Sequence, residues 1–342
     1  MNITFDLNTV WFVLVGILFT GYAILDGFDL GVGSLHLLAK TDRERRLMLN
    51  SIGPVWDGNE VWLVTGGGAL FAAFPEAYAT AFSGFYMAMM LLLVGLIFRA
   101  VAIEFRSKQP MAWWRKLWDI SFSVSSMLSG LLIGVALGNL ALGVPLDKHY
   151  EFAGSFWGLL HPYALLVGIT GLALFAMHGA IYIVMKTEGE FQDRARTWVN
   201  PTILAFLTCY AITTLVTLFF VPQMLDNLWA APAMFAFPVL SLLVILNIPR
   251  EIHRGRLFLA FLSSCLAMAG LLATFGAGVY PNLIVSNPDA ANSLTIYNAA
   301  SSDKTLGIML LIAILGIPIV IAYTISIYWV FRGKVKLDET SY

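Results

Sequence analysis

The chain reads as long apolar runs separated by short polar connectors. Apolar stretches long enough to cross a hydrocarbon core of about 30 Å, roughly 20 residues at about 1.5 Å each, fall near 9–38, 53–74, 78–103, 119–142, 160–185, 200–221, 231–248, 257–279 and 305–331. The pattern predicts an all-α integral membrane protein with nine transmembrane helices in one domain spanning 1–342. The connectors alternate in charge. Those at 40–46 (KTDRERR), 104–116, 186–197 and 250–256 (REIHRGR), the tail at 332–336 (RGKVK) and Arg99 together hold every Lys and Arg except Lys148 and Lys304. By the positive-inside rule the basic side is cytoplasmic, with the N-terminus outside and the C-terminus inside. The opening MNITFDLNTV has neither a basic n-region nor a small-residue cleavage site, so the first apolar segment is expected to be a retained helix. The longest outside connector, about 280–304, leaves no room for a soluble domain.

Composition agrees with a membrane protein: 342 residues, 59% hydrophobic, 12% charged and a mean hydropathy of +0.79. A formal net charge of −1 excludes a nucleic-acid partner, which would require a basic face. Cys209 and Cys265 sit singly in apolar segments, with no metal-ligand or disulfide spacing, and read as small core residues.

Charges inside membrane helices cost about 2.5–3.5 kcal/mol each near the centre, so those present are functional candidates. Asp26 and Asp29 in LDGFDLGVG lie about 25–30 Å along the first helix, towards its cytoplasmic end. The second helix runs outward, with Pro54 expected at its first position, which puts Asp57 and Glu60 of VWDGNEVW in its first two turns. The third ends in FRAVAIEF and brings Arg99 and Glu104 to the same depth. Asp26 and Asp29, like Asp57 and Glu60, are three apart and so share a helix face, and the positive end of the second helix favours carboxylates. One arginine cannot neutralise five acids, and a carboxylate surplus in a low dielectric suits groups that take up and pass protons. Three readings stay open on these residues: a proton or cation path, an interfacial salt-bridge cluster with Asp57 as a helix cap, and a substrate pocket. The glycines of GFDLGVG and TGGGALF read as close helix contacts and not as a phosphate loop. His36 and His253 lie in or near inner loops, and His149 and His161 lie outside. Only His178 is within a helix, so no pair is available for a bis-histidine haem and His178 reads as a hydrogen-bonded core residue.

The run LDGFDLGVG, RERRLMLNSIGPVWDGNEVWLVTGGGALFAAFP, AFSGFY and IFRAVAIEFRSK followed by WRKLWD resembles subunit II of cytochrome bd-type quinol oxidases, including their cyanide-insensitive branch. The likeness is dense from about 10 to 140 and continues through GVALGNLALGVP and HGAIYIVMKTEGE to the last helix. It implies two four-helix bundles plus one peripheral helix, in a heterodimer of the bacterial cytoplasmic membrane that oxidises quinol and reduces oxygen to water. In that family subunit I carries two b-type haems and one d-type haem, and subunit II ligates none. Small single-helix subunits and a structural quinone occur in part of the family. The resemblance implies a cytoplasmic proton path at Asp57, with Glu60 beside it standing where some members have glutamine. It also implies an oxygen route at Trp62 and a polar face towards subunit I at Asp26, Asp29, Arg99 and Glu104. The alternative from another class is a stand-alone proton-coupled transporter with a first helix broken at LDGFDLGVG.

Overall fold

The computed structural model describes residues 6–337; residues 1–5, part of the stretch that bears on a retained first helix, lie outside these. Twelve α-helices follow in order among the described residues: α1 (Leu7–Leu35), α2 (Asp42–Ile52), α3 (Trp56–Ala73), α4 (Pro75–Gly84), α5 (Tyr86–Phe105), α6 (Ala112–Leu142), α7 (Pro162–Lys186), α8 (Gly189–Phe220), α9 (Asp226–Ala230), α10 (Ala236–His253), α11 (Leu257–Val279) and α12 (Asp303–Val330). Eight of them are long and apolar enough to cross a membrane: α1, α5, α6, α7, α8, α10, α11 and α12. The ninth expected span, 53–74, corresponds to α3. This 18-residue helix is less apolar than the others because Asp57, Asn59 and Glu60 fill its first turns.

Several boundaries differ from the sequence reading for local reasons. The expected third span, 78–103, is two helices, because Phe74 and Phe85 leave the helical conformation on either side of α4. The connector at 40–46 was expected to be a loop, yet Thr41 opens α2 with a capping box closed by Glu44. Pro54 is not the first residue of α3; it lies in the turn between α2 and α3. Helix α8 starts at Gly189, eleven residues before the expected 200, because the polar run EFQDRARTW continues as an amphipathic turn that buries Phe191, Ala195 and Val199. The outside connector carries a small antiparallel pair, β1 (Asn282–Ile284) with β2 (Leu294–Thr295).

Helix α1 is central, packing against α3, α6, α7, α11 and α12. It runs unbroken through LDGFDLGVG, unlike the broken helix of the transporter alternative, and every residue from Asp26 to Gly33 is buried. Lipid tails give helices no hydrophobic reason to associate, so close backbone approach and dispersion must hold them. Gly31 provides that approach: a Cβ there would stand 2.8 Å from Gly179 Cα and overlap the carbonyl oxygen of Phe175 on α7. Helices α6 and α7 meet in the same way, with Gly134 against Gly168 and Gly138 against Ala164. Helices α5 and α6 pack together beside α1, α8, α10 and α11 gather around α7, and α12 lies on the outside against α1 and α3. One apolar core fills the basic half around Phe28, Met48, Ile52 and Ile181. A second fills the opposite half around Trp11, Phe74, Tyr280 and Ile296.

Gly31→Ala is expected to lower stability by about 1–3 kcal/mol through overpacking at the α1–α7 contact. Gly16→Ala on the same helix, with open space around it, should stay within about 0.5 kcal/mol of wild type. A thermal ramp of the detergent-solubilised protein followed by size exclusion separates the two.

Candidate functional site

The acids of α1 and α3 and the arginine of α5 meet where the sequence places them. Arg99 is fully buried and donates from Nη2 to Asp26 Oδ1 at 2.6 Å, and from the same nitrogen to Glu60 Oε1. Asp26 is fully buried, whereas the Glu60 side chain is 24% exposed, so the triad opens at the Glu60 end. Asp29 is held differently. Its Oδ2 accepts from Asn59 Nδ2 at 2.8 Å, the same amide donates to Leu25 O, and the Tyr328 hydroxyl of α12 donates to Asn59 Oδ1 at 2.8 Å. Asn59 therefore ties α1, α3 and α12 together through one side chain. The second carboxylate oxygens of Asp26 and Asp29, with Nε and Nη1 of Arg99, are buried without a hydrogen-bond partner among the described residues.

Asp57 is not in this cluster. Three residues before Glu60, it lies on an exposed stripe of α3 that continues through Val61, Val64, Gly68 and Phe71 at helical spacing. Nor does it cap the helix, since the position before α3 is Val55 and no side chain caps it. Asp57 and Glu60, three residues apart on α3, adjoin on one side of the helix as expected, but their surroundings differ. Glu60 turns from the rim of the stripe towards Arg99, and Asp57 points outward. Trp62 is half-buried and lays its indole over Gly21 of α1, where a Cβ would collide with the ring. Glu104 is half-buried on α5, five residues beyond Arg99.

His178 uses both ring nitrogens, Nδ1 with Ser264 Oγ at 2.7 Å and Nε2 with Ile24 O at 3.0 Å, and stacks on Phe261. It is a core histidine, as its sequence context suggested. No group of three or more His, Cys, Asp or Glu side chains suited to a metal ion occurs among the described residues. Cys209 and Cys265 are unpaired and half-buried.

A second polar cluster escaped the sequence reading. Asp119 of α6 is buried, with His36 Nε2 at 2.6 Å, Arg106 Nε at 2.5 Å and Arg45 Nη1 at 2.8 Å around its two oxygens. Arg106 continues to Asp42 at 2.8 Å, and Arg115 joins Asp42 at 3.3 Å. The signal was available in WRKLWD, where an acid sits four residues after Arg115 beside an apolar run. Its arginines lie in the basic connectors, whose charge in sequence marks only the cytoplasmic side.

The arrangement has close relatives. The family model of cytochrome bd terminal oxidase subunit II matches residues 7–331. The chain belongs to that family. Subunit 2 of the cytochrome bd-I ubiquinol oxidase of Escherichia coli strain K12 is 36% identical, over 97% of this chain and 96% of that one. Subunit 2 of the cytochrome bd ubiquinol oxidase of Bacillus subtilis strain 168 is 34% identical, over 98% of each. The fold is shared with the bd oxidase structure from Geobacillus thermodenitrificans, at TM-score 0.78 and 19% identity, over 95% of this chain and 98% of that one. This bd oxidase subunit is thus a multi-pass bacterial membrane protein and one chain of a respiratory quinol oxidase, whose complex contains haem and a subunit I.

Removing Arg99 leaves Asp26 buried without a counter-charge. Arg99→Met is therefore expected to destabilise the subunit by about 3–5 kcal/mol. Glu60→Gln keeps an acceptor for Arg99 at the half-exposed end and should cost about 1 kcal/mol or less. The thermal midpoints of the two purified variants check the order.

Proposed function

We propose that this chain is the haem-free second subunit of a bd-type quinol oxidase, stabilising the haem-bearing subunit I and lining a proton-uptake path from the cytoplasm. The observation that carries the reading is the graded polar file across α3. Asp57 is exposed and Glu60 half-buried in the first two turns of α3, and Asp26 of α1 with Arg99 of α5, both fully buried, stand behind Glu60. A proton arriving at Asp57 has a carboxylate one turn further on, then a charged pair, then the Asn59–Asp29 system. The side chains of such a file exchange protons through hydrogen bonds and small rotations, without bond chemistry of their own. In this reading the haems and the oxygen chemistry belong to subunit I, and the names of the relatives, subunit 2 of bd ubiquinol oxidases, support membership of such a complex.

The ninth crossing is α3 itself. Eighteen residues cover about 27 Å. At the far end, Ser301, just before α12, donates from its backbone N–H to Ala73 O and from its hydroxyl to Ala72 O. At the near end Asn59 meets Tyr328, close to the other end of α12. Nine crossings put the termini on opposite sides of the bacterial inner membrane, and the basic connectors put the C-terminal side in the cytoplasm. The two-bundle arrangement inferred from the family then has α1, α3, α5 and α6 in one bundle, α7, α8, α10 and α11 in the other, and α12 as the peripheral helix.

The exposed stripe of α3 is the face we assign to subunit I. A carboxylate within an apolar stripe is unsuited to lipid and suited to a protein wall. Trp62, at the α1–α3 seam, is assigned to a lateral oxygen route through the apolar interior. The charge displacement follows from geometry: protons consumed in water formation enter from the cytoplasm, while those of quinol leave on the other side.

The complex purified with its partner, as wild type, Asp57→Asn and Glu60→Gln, tests the path by quinol-dependent oxygen uptake and reduced-minus-oxidised spectra. Asp57→Asn is expected to lower uptake by about tenfold or more with the haem bands intact. Full uptake in that variant would make Asp57 a surface group, and haem bands in this chain purified alone would end the haem-free assignment.

A further inference from the structure

At the basic end of the molecule α2, the segment between α5 and α6 and the start of α6 line a cavity of about 250 Å³. Its charged lining is Arg45, Arg106, Arg115 and Lys116 against Asp42 and Asp119, a surplus of two positive charges. The carboxylates are already engaged: Asp119 by His36, Arg45 and Arg106, and Asp42 by Arg106 and Arg115. Donors remain. Arg106 is 1% exposed, lines the cavity, and its Nη1 has no partner among the described residues. Nε of Arg45 and of Arg115 are likewise buried and unpartnered, and the exposed Lys116 makes no ion pair among the described residues. Ala112, the first residue of the 31-residue α6, is also in the wall, and no side chain caps that helix. Its free N–H groups and positive dipole end therefore add to the same field. Clustered guanidinium donors, an ammonium and a helix N-terminus together recognise a phosphate group.

The surroundings say where that phosphate comes from. The cavity lies at the ends of two membrane-spanning helices, at headgroup level. Directly beside it α6 presents Trp113, Leu117, Ile120 and Val124, a stripe at helical spacing whose members are 61%, 51%, 42% and 49% exposed. An indole at the rim followed by aliphatic side chains is the profile of a surface that meets the headgroup boundary and then the acyl chains. We propose that this cavity binds the phosphate of an anionic phospholipid, with Arg106, Arg115 and Lys116 on the headgroup and the α6 stripe along an acyl chain. The lipid then clamps α2 to the α5–α6 junction. It adds to the ion pairs at Asp42 and Asp119 that already bridge these elements.

Native mass spectrometry of the delipidated complex, purified with its partner subunit, tests this with phosphatidylglycerol, phosphatidylcholine and inorganic phosphate as probes. Wild type is expected to take up phosphatidylglycerol in preference to phosphatidylcholine. Arg115→Gln/Lys116→Gln should weaken that uptake by about 25-fold, as two surface cations are lost. The charge-conserving Arg115→Lys/Lys116→Arg should retain it. Where the double variant does not assemble, the exposed Lys116→Gln alone is read in the same way, with about a fivefold loss. Equal uptake by the neutralised variant, or equal uptake of the two lipids, overturns the site. Occupancy by inorganic phosphate that excludes phosphatidylglycerol would make it a free-anion site and overturn the lipid assignment.

Discussion

The backbones of α1 and α7 touch at Gly31 and Gly179, and the burial of the acids of α1 depends on that contact. A bilayer offers no hydrophobic effect to drive helices together, so association rests on how closely two backbones can approach. With glycine on both sides, α1 sinks far enough between its neighbours that the eight residues from Asp26 to Gly33 are all buried. A helix so placed cannot turn its acids to water or to headgroups. Asp26 and Asp29 must find partners on the helices that surround α1, and those helices must have the right residues at the right depth.

They do, through two different solutions. Asp26 and Glu60 share one guanidinium nitrogen of Arg99. Asp29 receives only neutral donation from Asn59, whose own oxygen is satisfied by Tyr328. Burying an ion triad is costly in a low dielectric and is repaid only by good geometry, so such a triad is a weak source of stability and a strong constraint on arrangement. The constraint here is register: α1, α3, α5 and α12 can slide past one another only by breaking a buried charged or amide contact. The Phe28–Tyr182 stack and the His178–Phe261 stack hold the same depth on the α7 and α11 side.

Much of this is legible in the sequence. Hydropathy located eight of the helices that can cross the membrane, and counting the rise per residue from each end brought Asp26, Glu60 and Arg99 to one level, where they are bonded. Three features were not legible, each for a physical reason. Depth along a helix says nothing about azimuth unless the helix has an amphipathic signal. α3 has no clear polar face beyond its first turns, so the different surroundings of Asp57, exposed, and Glu60, turned to Arg99, were hidden. A polar connector can be helical when a capping box and one buried face suffice, as in α2 and the first turns of α8, and composition alone reads such segments as loops. The Asp119 cluster joins residues from α2, α6, the turn after α5 and the turn at His36, and no single window of sequence contains more than a part of it.

The direction of Asp57 also bears on why such a chain works in company. Its stripe, with Val61, Val64, Gly68 and Phe71, is the most exposed face of the least apolar long helix. Behind it lie carboxylate oxygens of Asp26 and Asp29 and two nitrogens of Arg99 that nothing in the described chain satisfies. An apolar surface carrying an acid, backed by incompletely paired charges, is poorly matched both to lipid and to bulk water. It is matched to a protein wall that covers the valines and leaves a narrow wet seam at the carboxylates. In the proposed complex that wall is subunit I. The seam would then be bounded on this side by α3, with Asp57 at its mouth and the Glu60–Arg99–Asp26 triad one turn deeper.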